Sequence, residues 1–403
     1  MRARLSADFE RFRRELPRDF AGYVREAYRI DLTARFLGYD VPHPFGKGSG
    51  QLSLNADQLE ADRAAGLAFV VLKTLIAETP TGDRSMGAWA IHETRMAVER
   101  RTSADGRPGW TVTWKGRGWD RSLDEYLALV RAGRDLTRAG ADGMLAAPSV
   151  KYNLPQLGEP FVEAEYVHTT AQLASAWGDD PLPIEKDFSP TLAGDPLAGE
   201  RAQVLRWIGE VPGRIRRAAP PGARVQLKLM NARFDDAFQV EMLAAARAAD
   251  GVTVFNRLFD PEGRVAYGGW DLSDRNLRVL DLARERGVLP PGPCASGNIC
   301  SGRMMLAYAQ RGCESGQLHT FFQLPLSEYP ATAGSRTARA LHALVFDPAD
   351  GLVAGLLELE ERGVLHRQGG ELRFLDVAAS STTETLRHEK ATTEAPRHGE
   401  KHE

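Results

Sequence analysis

The chain has 403 residues, of which 43% are hydrophobic and 26% charged, with a formal net charge of −3. This is the composition of an ordinary folded chain with room for one large domain and insertions, and the charge balance does not point to nucleic acid or an anionic membrane as a partner. Three cysteines (Cys294, Cys300, Cys313) with no Cys-x-x-Cys pair argue against a disulfide framework and against an iron–sulfur or zinc site.

Taken from the start, residues 1–30 read as an amphipathic helical arm, with Phe9, Phe12, Leu16, Phe20 and Tyr23 at roughly helical spacing among arginines. Such a stripe serves either attachment to a membrane surface or partner, or packing, as a helix laid across the bottom of a barrel or a homodimer contact. The opening MRARLSADFERFRREL has no apolar signal-peptide core, and no apolar run reaches the ~20 residues of a membrane span. A reducing, cytoplasmic setting is the expectation.

Residues 31–41 alternate as a short hairpin does, ahead of Pro42 and Pro44. Helix and strand patterns then take turns. Residues 56–65 read as a helix, and 67–72 as a buried apolar strand running into Lys73-Thr74. A helix over 123–139, a short strand over 143–148 and a further unit over 163–177 follow. The second half adds helices over 199–219, 237–249, 277–286 and 302–309, with strands over 224–230 and 252–256. This order predicts a parallel sheet covered on both faces, and 31–379 is expected to form one (β/α)8 barrel. Two stretches interrupt it: 79–119, rich in Gly, Arg and Trp, as loops or short strands over one face, and 179–199 as a long loop. Residues 380–403 are polar and charged and are expected to be disordered.

Residues 294–322 combine strand, small-residue loop, helix and strand, a layout in which backbone N–H groups and a helix N-terminus grip a phosphate. In a parallel barrel the active face is built from strand C-termini, which here offer Ser49, Lys73, Thr74, Lys228, Asn256 and Gly297. Lysines at the ends of apolar strands need an anionic partner if they are buried. That partner is either a carboxylate of the protein or a bound anion; alternatively the strands end early and both lysines are exposed. The Gly-x-Gly-x-Gly of residues 46–50 lacks the helix and acidic residue of a dinucleotide fingerprint, so no nicotinamide site is expected there.

In order, these segments resemble the dihydroorotate dehydrogenases, barrels that bind flavin mononucleotide (FMN) and are related to the flavin domain of dihydropyrimidine dehydrogenase. HPFGKGSGQLSLNADQLEADRAAGLAFVVLKT is similar to the family's NPF-x-x-A-S-G, helix, G-x-G-x-V-x-x-K-T/S opening. VQLKLMNARFDD, VTVFN, YGGWDL and SGNICSG…GQLHT resemble its later strand-end motifs. The resemblance runs with gaps over residues 31–363. It implies FMN as cofactor, with Ser49 and Gly50 beside the ring and Lys73, Thr74 and Lys228 near its polar edge. Asn256 would bond flavin or substrate. Gly268, Gly269, Gly297, Asn298, His319 and Thr320 would surround the phosphate. Asn298 and His319 stand where the family pattern has glycine; an αL turn tolerates Asn, whereas His319 either adds a donor to the phosphate or faces outward.

The substrate side departs further. The family's Asn-x-S-C-P-N type loop matches best at PSVKYNLP, residues 148–155, which puts Lys151 at the position of the catalytic base and Asn153 at a substrate-binding one. A register two residues off makes Ser149 the base instead, and Tyr152 is a third donor. Another substrate asparagine has no counterpart in TWKGRGW, and Arg257 replaces a small residue after Asn256. Each unpaired group on an orotate ring would cost ~1–3 kcal/mol, so a different substrate is expected, with Arg257, Arg117 or Lys151 available to hold an anion. The implied activity is FMN-dependent hydride transfer at a C–C or C=C bond of a small molecule, with an electron partner left open. The alternatives are a genuine dihydroorotate dehydrogenase, or a barrel that binds a phosphorylated ligand without redox chemistry.

Overall fold

The computed structural model describes residues 1–90, 96–102, 108–114, 118–138, 143–188, 200–232, 235–260, 265–269 and 272–379. The expected tail at 380–403 and the substrate candidate Arg117 lie outside the described residues.

In the first part of the chain the strands are β1 (Ile30–Asp31), β2 (Ala34–Phe36), β3 (Tyr39–Val41), β4 (Phe45–Lys47), β5 (Phe69–Val71) and β6 (Leu75–Ile76). Then come β7 (Met96–Thr102), β8 (Pro108–Trp114), β9 (Leu145–Ala147), β10 (Ser149–Lys151), β11 (Pro183–Asp187) and β12 (Arg224–Lys228). The last are β13 (Gly251–Val254), β14 (Leu258–Asp260), β15 (Val265–Gly269), β16 (Pro293–Ser296), β17 (Ser315–Leu318) and β18 (Leu372–Arg373). Ten of them form one parallel sheet in the order β6-β10-β11-β12-β13-β16-β17-β4-β5-β9. The expected α/β character with a parallel sheet is what the chain adopts.

The reason lies in the pattern of burial. Leu67 to Leu72 is buried at every position, as a strand covered on both faces must be. Between the strands run helices whose apolar stripes cover the sheet, among them Leu123–Thr137, Glu163–Trp177, Arg201–Ala218, Asp236–Ala245 and Leu272–Glu285. The first begins with a capping box: Ser122 Oγ accepts from the Glu125 N–H, and the Glu125 carboxylate accepts from the Ser122 N–H. β2 and β3 form the expected hairpin.

The long loop expected over 179–199 is corrected over part of its length, because Pro183–Asp187 is strand β11, paired with β10 and β12. Glu185, Lys186 and Asp187 break the apolar pattern of a buried strand, yet all three are buried. The 79–119 insertion contains the antiparallel hairpin β7–β8, and β15 and β14 extend it into a four-stranded sheet.

The N-terminal stripe is covered from within the chain. Helices Arg2–Arg11 and Phe20–Tyr28 pack on Arg336–Phe346, with the Phe12 and Phe346 rings 5.1 Å apart and the His342 Nε2 2.8 Å from the Phe9 carbonyl. Asp8 accepts from the hydroxyls of Tyr23 (2.7 Å) and Tyr28 (2.6 Å). β1 pairs with β18, tying this layer to residues 372–373.

Candidate functional site

A cavity of about 430 Å³ opens at the C-terminal ends of β13, β16 and β17, beneath β8 and β15. Its walls include Asn256, Gly268, Gly269, Gly297, Asn298, His319 and Thr320, all expected at a cofactor site. The backbone explains the small residues. Gly269 has φ +96°, and a Cβ there would overlap the Trp110 carbonyl of β8. Gly297 has φ +98°, and a Cβ would sit 2.6 Å from Asn276 Nδ2. Asn298 takes the left-handed conformation expected of it, φ +54°, and its amide donates to Ser273 Oγ at 3.0 Å. Three residues farther on, Ser301 caps the helix Gly302–Ala309 by accepting from the Met304 N–H at 3.1 Å.

Behind the cavity, within the sheet, lies a buried polar cluster. Lys228 Nζ donates to Ser49 Oγ at 3.2 Å and lies 3.9 Å from Glu185 Oε1. Thr74 Oγ1 is 3.3 Å from Ser49 Oγ, 3.2 Å from Ser149 Oγ and 3.2 Å from Asp187 Oδ2. Ser149 donates to Glu185 Oε1 at 3.1 Å, and Gln317 Nε2 donates to Glu185 Oε2 at 2.6 Å. Burial pushes the Glu185 carboxyl above its ordinary value, against the pull of Lys228. Lys73 is buried beside the cluster, its N–H donating to the Ser53 carbonyl at 3.1 Å.

Lys151 is almost wholly buried; its Nζ lies 3.5 Å from the Asp187 carbonyl and 5.4 Å from the Trp89 ring centre. Lys186 donates to the same carbonyl at 3.1 Å. Burial first, and the Lys151 charge second, hold the Lys186 amine well below its ordinary pKa. Tyr152 is turned away, sharing a 2.6 Å hydrogen bond with Thr170 Oγ1.

Between the two groups stands His319. It lines the cavity, and a Cβ on Gly50 would overlap its Nε2. Its Nδ1 is 2.7 Å from Gln323 Nε2. Burial, then the charges of Arg257, Lys228, Lys73 and Lys47, hold the imidazole well below its ordinary pKa. Gln317 also touches both groups: it lines the cavity, and its buried Oε1 has no hydrogen-bond partner.

The expected site residues are thus gathered into two adjoining sets. Ser49, Thr74, Ser149 and Lys228 share one hydrogen-bonded cluster, with Gly50, Lys73 and Lys151 at its margins. Asn153 is placed differently: its side-chain oxygen accepts from the Val162 N–H (2.9 Å), its own N–H donates to Glu165 (2.9 Å), and its carbonyl accepts from Tyr166 (2.7 Å). Arg257 is half-buried, with its carbonyl accepting from the Asn231 N–H. Sequence reasoning missed Glu185, Asp187, Gln317 and Asn276. Asn276 Nδ2 lies 2.8 Å from the Ser296 carbonyl and 3.0 Å from that of Phe255, pinning the loops after β16 and β13. The signal for Glu185 and Asp187 is the run Glu-Lys-Asp after Pro183 and Ile184, charged residues in a segment of strand length.

Among the described residues no group of His, Cys, Asp and Glu side chains is placed to hold a metal, and no helix is long and apolar enough to cross a membrane. The three cysteines are free thiols. No protein-family model matches the chain, and no curated protein sequence matches it.

Proposed function

We propose that the chain is an FMN-dependent oxidoreductase of the dihydroorotate dehydrogenase type, acting on a small anionic substrate. The observation that carries this reading is that seven residues expected at the cofactor line one cavity, while Ser49, Thr74, Lys73 and Lys228 cluster directly behind it. The reading includes closure of the sheet. Counting β5 with β6 and β9 with β10 as two strands interrupted by short breaks leaves eight, and β17 pairs back to β4.

The residues fit the phosphate end of FMN well. Gly297 and Asn298 turn in the left-handed region beside a capped helix N-terminus, and the close approach at Gly269 leaves that stretch of the wall without a side chain. Toward the ring end, the orphaned Gln317 Oε1 offers an acceptor to a ring N–H, and Lys228 and Lys73 offer charge to an anionic ring. The volume lies within the ~300–1,000 Å³ usual for such pockets.

When bound, FMN supplies hydride transfer at its N5. The protein's task is then the accompanying proton. Ser149 is the favoured carrier, since Glu185 accepts its hydrogen bond and, raised by burial, can take the proton onward. Lys151 is the second candidate; its Nζ rests on the Asp187 carbonyl. Arg257, beside Asn256, would hold a substrate carboxylate.

The test is anaerobic mixing of the FMN-loaded protein with dihydroorotate and with other small dihydro-carboxylates, following flavin absorbance. Bleaching by one of the others alone is expected, and Ser149→Ala should slow it by about 10²-fold or more. Bleaching by dihydroorotate at comparable rates would make this a genuine dihydroorotate dehydrogenase. No bleaching by any reductant of this class would overturn the proposal.

A further inference from the structure

One side chain stands between the cavity and the lysine cluster. His319 forms part of the cavity wall, yet its Nε2 lies so close against Gly50 that a Cβ on that glycine would overlap it. Ser49, Gly50, Lys73, Thr74 and Lys228 do not line the cavity. Gln323 Nε2, 2.7 Å from His319 Nδ1 and 3.4 Å from its carbonyl, holds the ring in this position. Burial first, and then the surrounding cations Arg257, Lys228, Lys73 and Lys47, oppose protonation of the imidazole, so it can remain there as a neutral wedge.

We infer that His319 is the specificity-determining residue of the site: seated against Gly50, it closes the cavity off from Lys73 and Lys228. A three-ring flavin reaches Lys73 and Lys228 only when His319 turns away. This inference rests on the flavin reading. Turning gives up the Gln323 hydrogen bond and the packing on Gly50, so the flavin-competent conformation is a minor one. Apparent flavin affinity is reduced by its fractional population, while a ligand that stays in the phosphate end is unaffected.

The experiment measures binding of FMN, by quenching of its fluorescence, and of ribose 5-phosphate, by calorimetry. It compares the full-length wild-type chain with His319→Gly and Gln323→Ala, each checked for folding by circular dichroism. His319→Gly should bind FMN more tightly and raise the ratio of FMN to ribose 5-phosphate affinity about tenfold or more. Gln323→Ala, which only frees the ring, should shift FMN affinity the same way by less. It decides the matter if His319→Gly does not fold. Equal or weaker FMN binding by the variants, with wild type binding FMN well, overturns the inference and leaves the flavin reading standing. If neither wild type nor variants bind FMN while all bind ribose 5-phosphate, both fall.

Discussion

At the scale of single residues, His43 shows how one protonation state is built into this chain. Its Nε2 donates to the Gly66 carbonyl at 2.8 Å, and its Nδ1 accepts from the Phe45 N–H at 3.2 Å. Only the neutral ring can do both. Burial pushes its pKa down to about 4, against an ordinary ~6.5. Above pH ~6.5 the ring is neutral in folded and unfolded chains alike, and the full stability is present. As pH falls toward 4, the unfolded chain takes up a proton that the folded chain refuses, and about 3 kcal/mol of stability is lost. Urea unfolding between pH 7 and 4 should therefore fall more steeply for wild type than for His43→Gln; parallel curves would contradict this. His43 and its neighbour Phe45 open a segment that resembled a known motif, but the role of this histidine was not legible, because its partners are backbone groups. Glu185 was illegible for the opposite reason: a carboxylate in a strand reads as solvent-exposed until Ser149, Gln317 and Lys228 are brought around it by β10, β17 and β12.

At the scale of elements, the layers are locked by polar contacts as well as by apolar packing. Lys47 on β4 donates to Asp62 on the helix Ala56–Ala64 and, at 2.9 Å, to Thr337 on Arg336–Phe346; Thr337 in turn donates to Asp62 at 2.7 Å. Burial raises the Asp62 carboxyl and lowers the Lys47 amine, so each charge depends on the other. Asp62→Ala should cost roughly 3–5 kcal/mol by urea unfolding, since it strands a buried ammonium, while the double change Lys47→Met with Asp62→Leu should cost much less. A single-variant loss below about 1 kcal/mol would place the pair among exposed ion pairs and refute this account. Elements made of apolar runs were legible: β5, β9 and β12 fall inside the segments read as strands, and Gly302–Ala309 has the bounds expected for it. β11 was lost to its own charges. The four-stranded sheet over the cavity was half legible, because β14 and β15 join β8 only through pairing distant in sequence.

For the whole molecule, long-range order is what brings the site together. Residues from Ser49 to Thr320 meet because consecutive strands pair in parallel and β17 returns beside β4. The hairpin β7–β8 roofs the cavity and is fastened by Arg100, which stacks over Trp110 and donates to Glu328 at 2.7 Å. Motif order along the chain foretold the converging residues, because each motif sits at the end of an apolar strand. It did not foretell the division by His319, since no local pattern records that residues 50 and 319 touch. The most direct measurement is the visible absorption of the purified full-length protein before and after addition of FMN, with the bound chromophore released and identified by chromatography. The account predicts a flavin spectrum that saturates at one FMN per chain. A colourless protein whose spectrum after FMN addition is that of free flavin alone would contradict it.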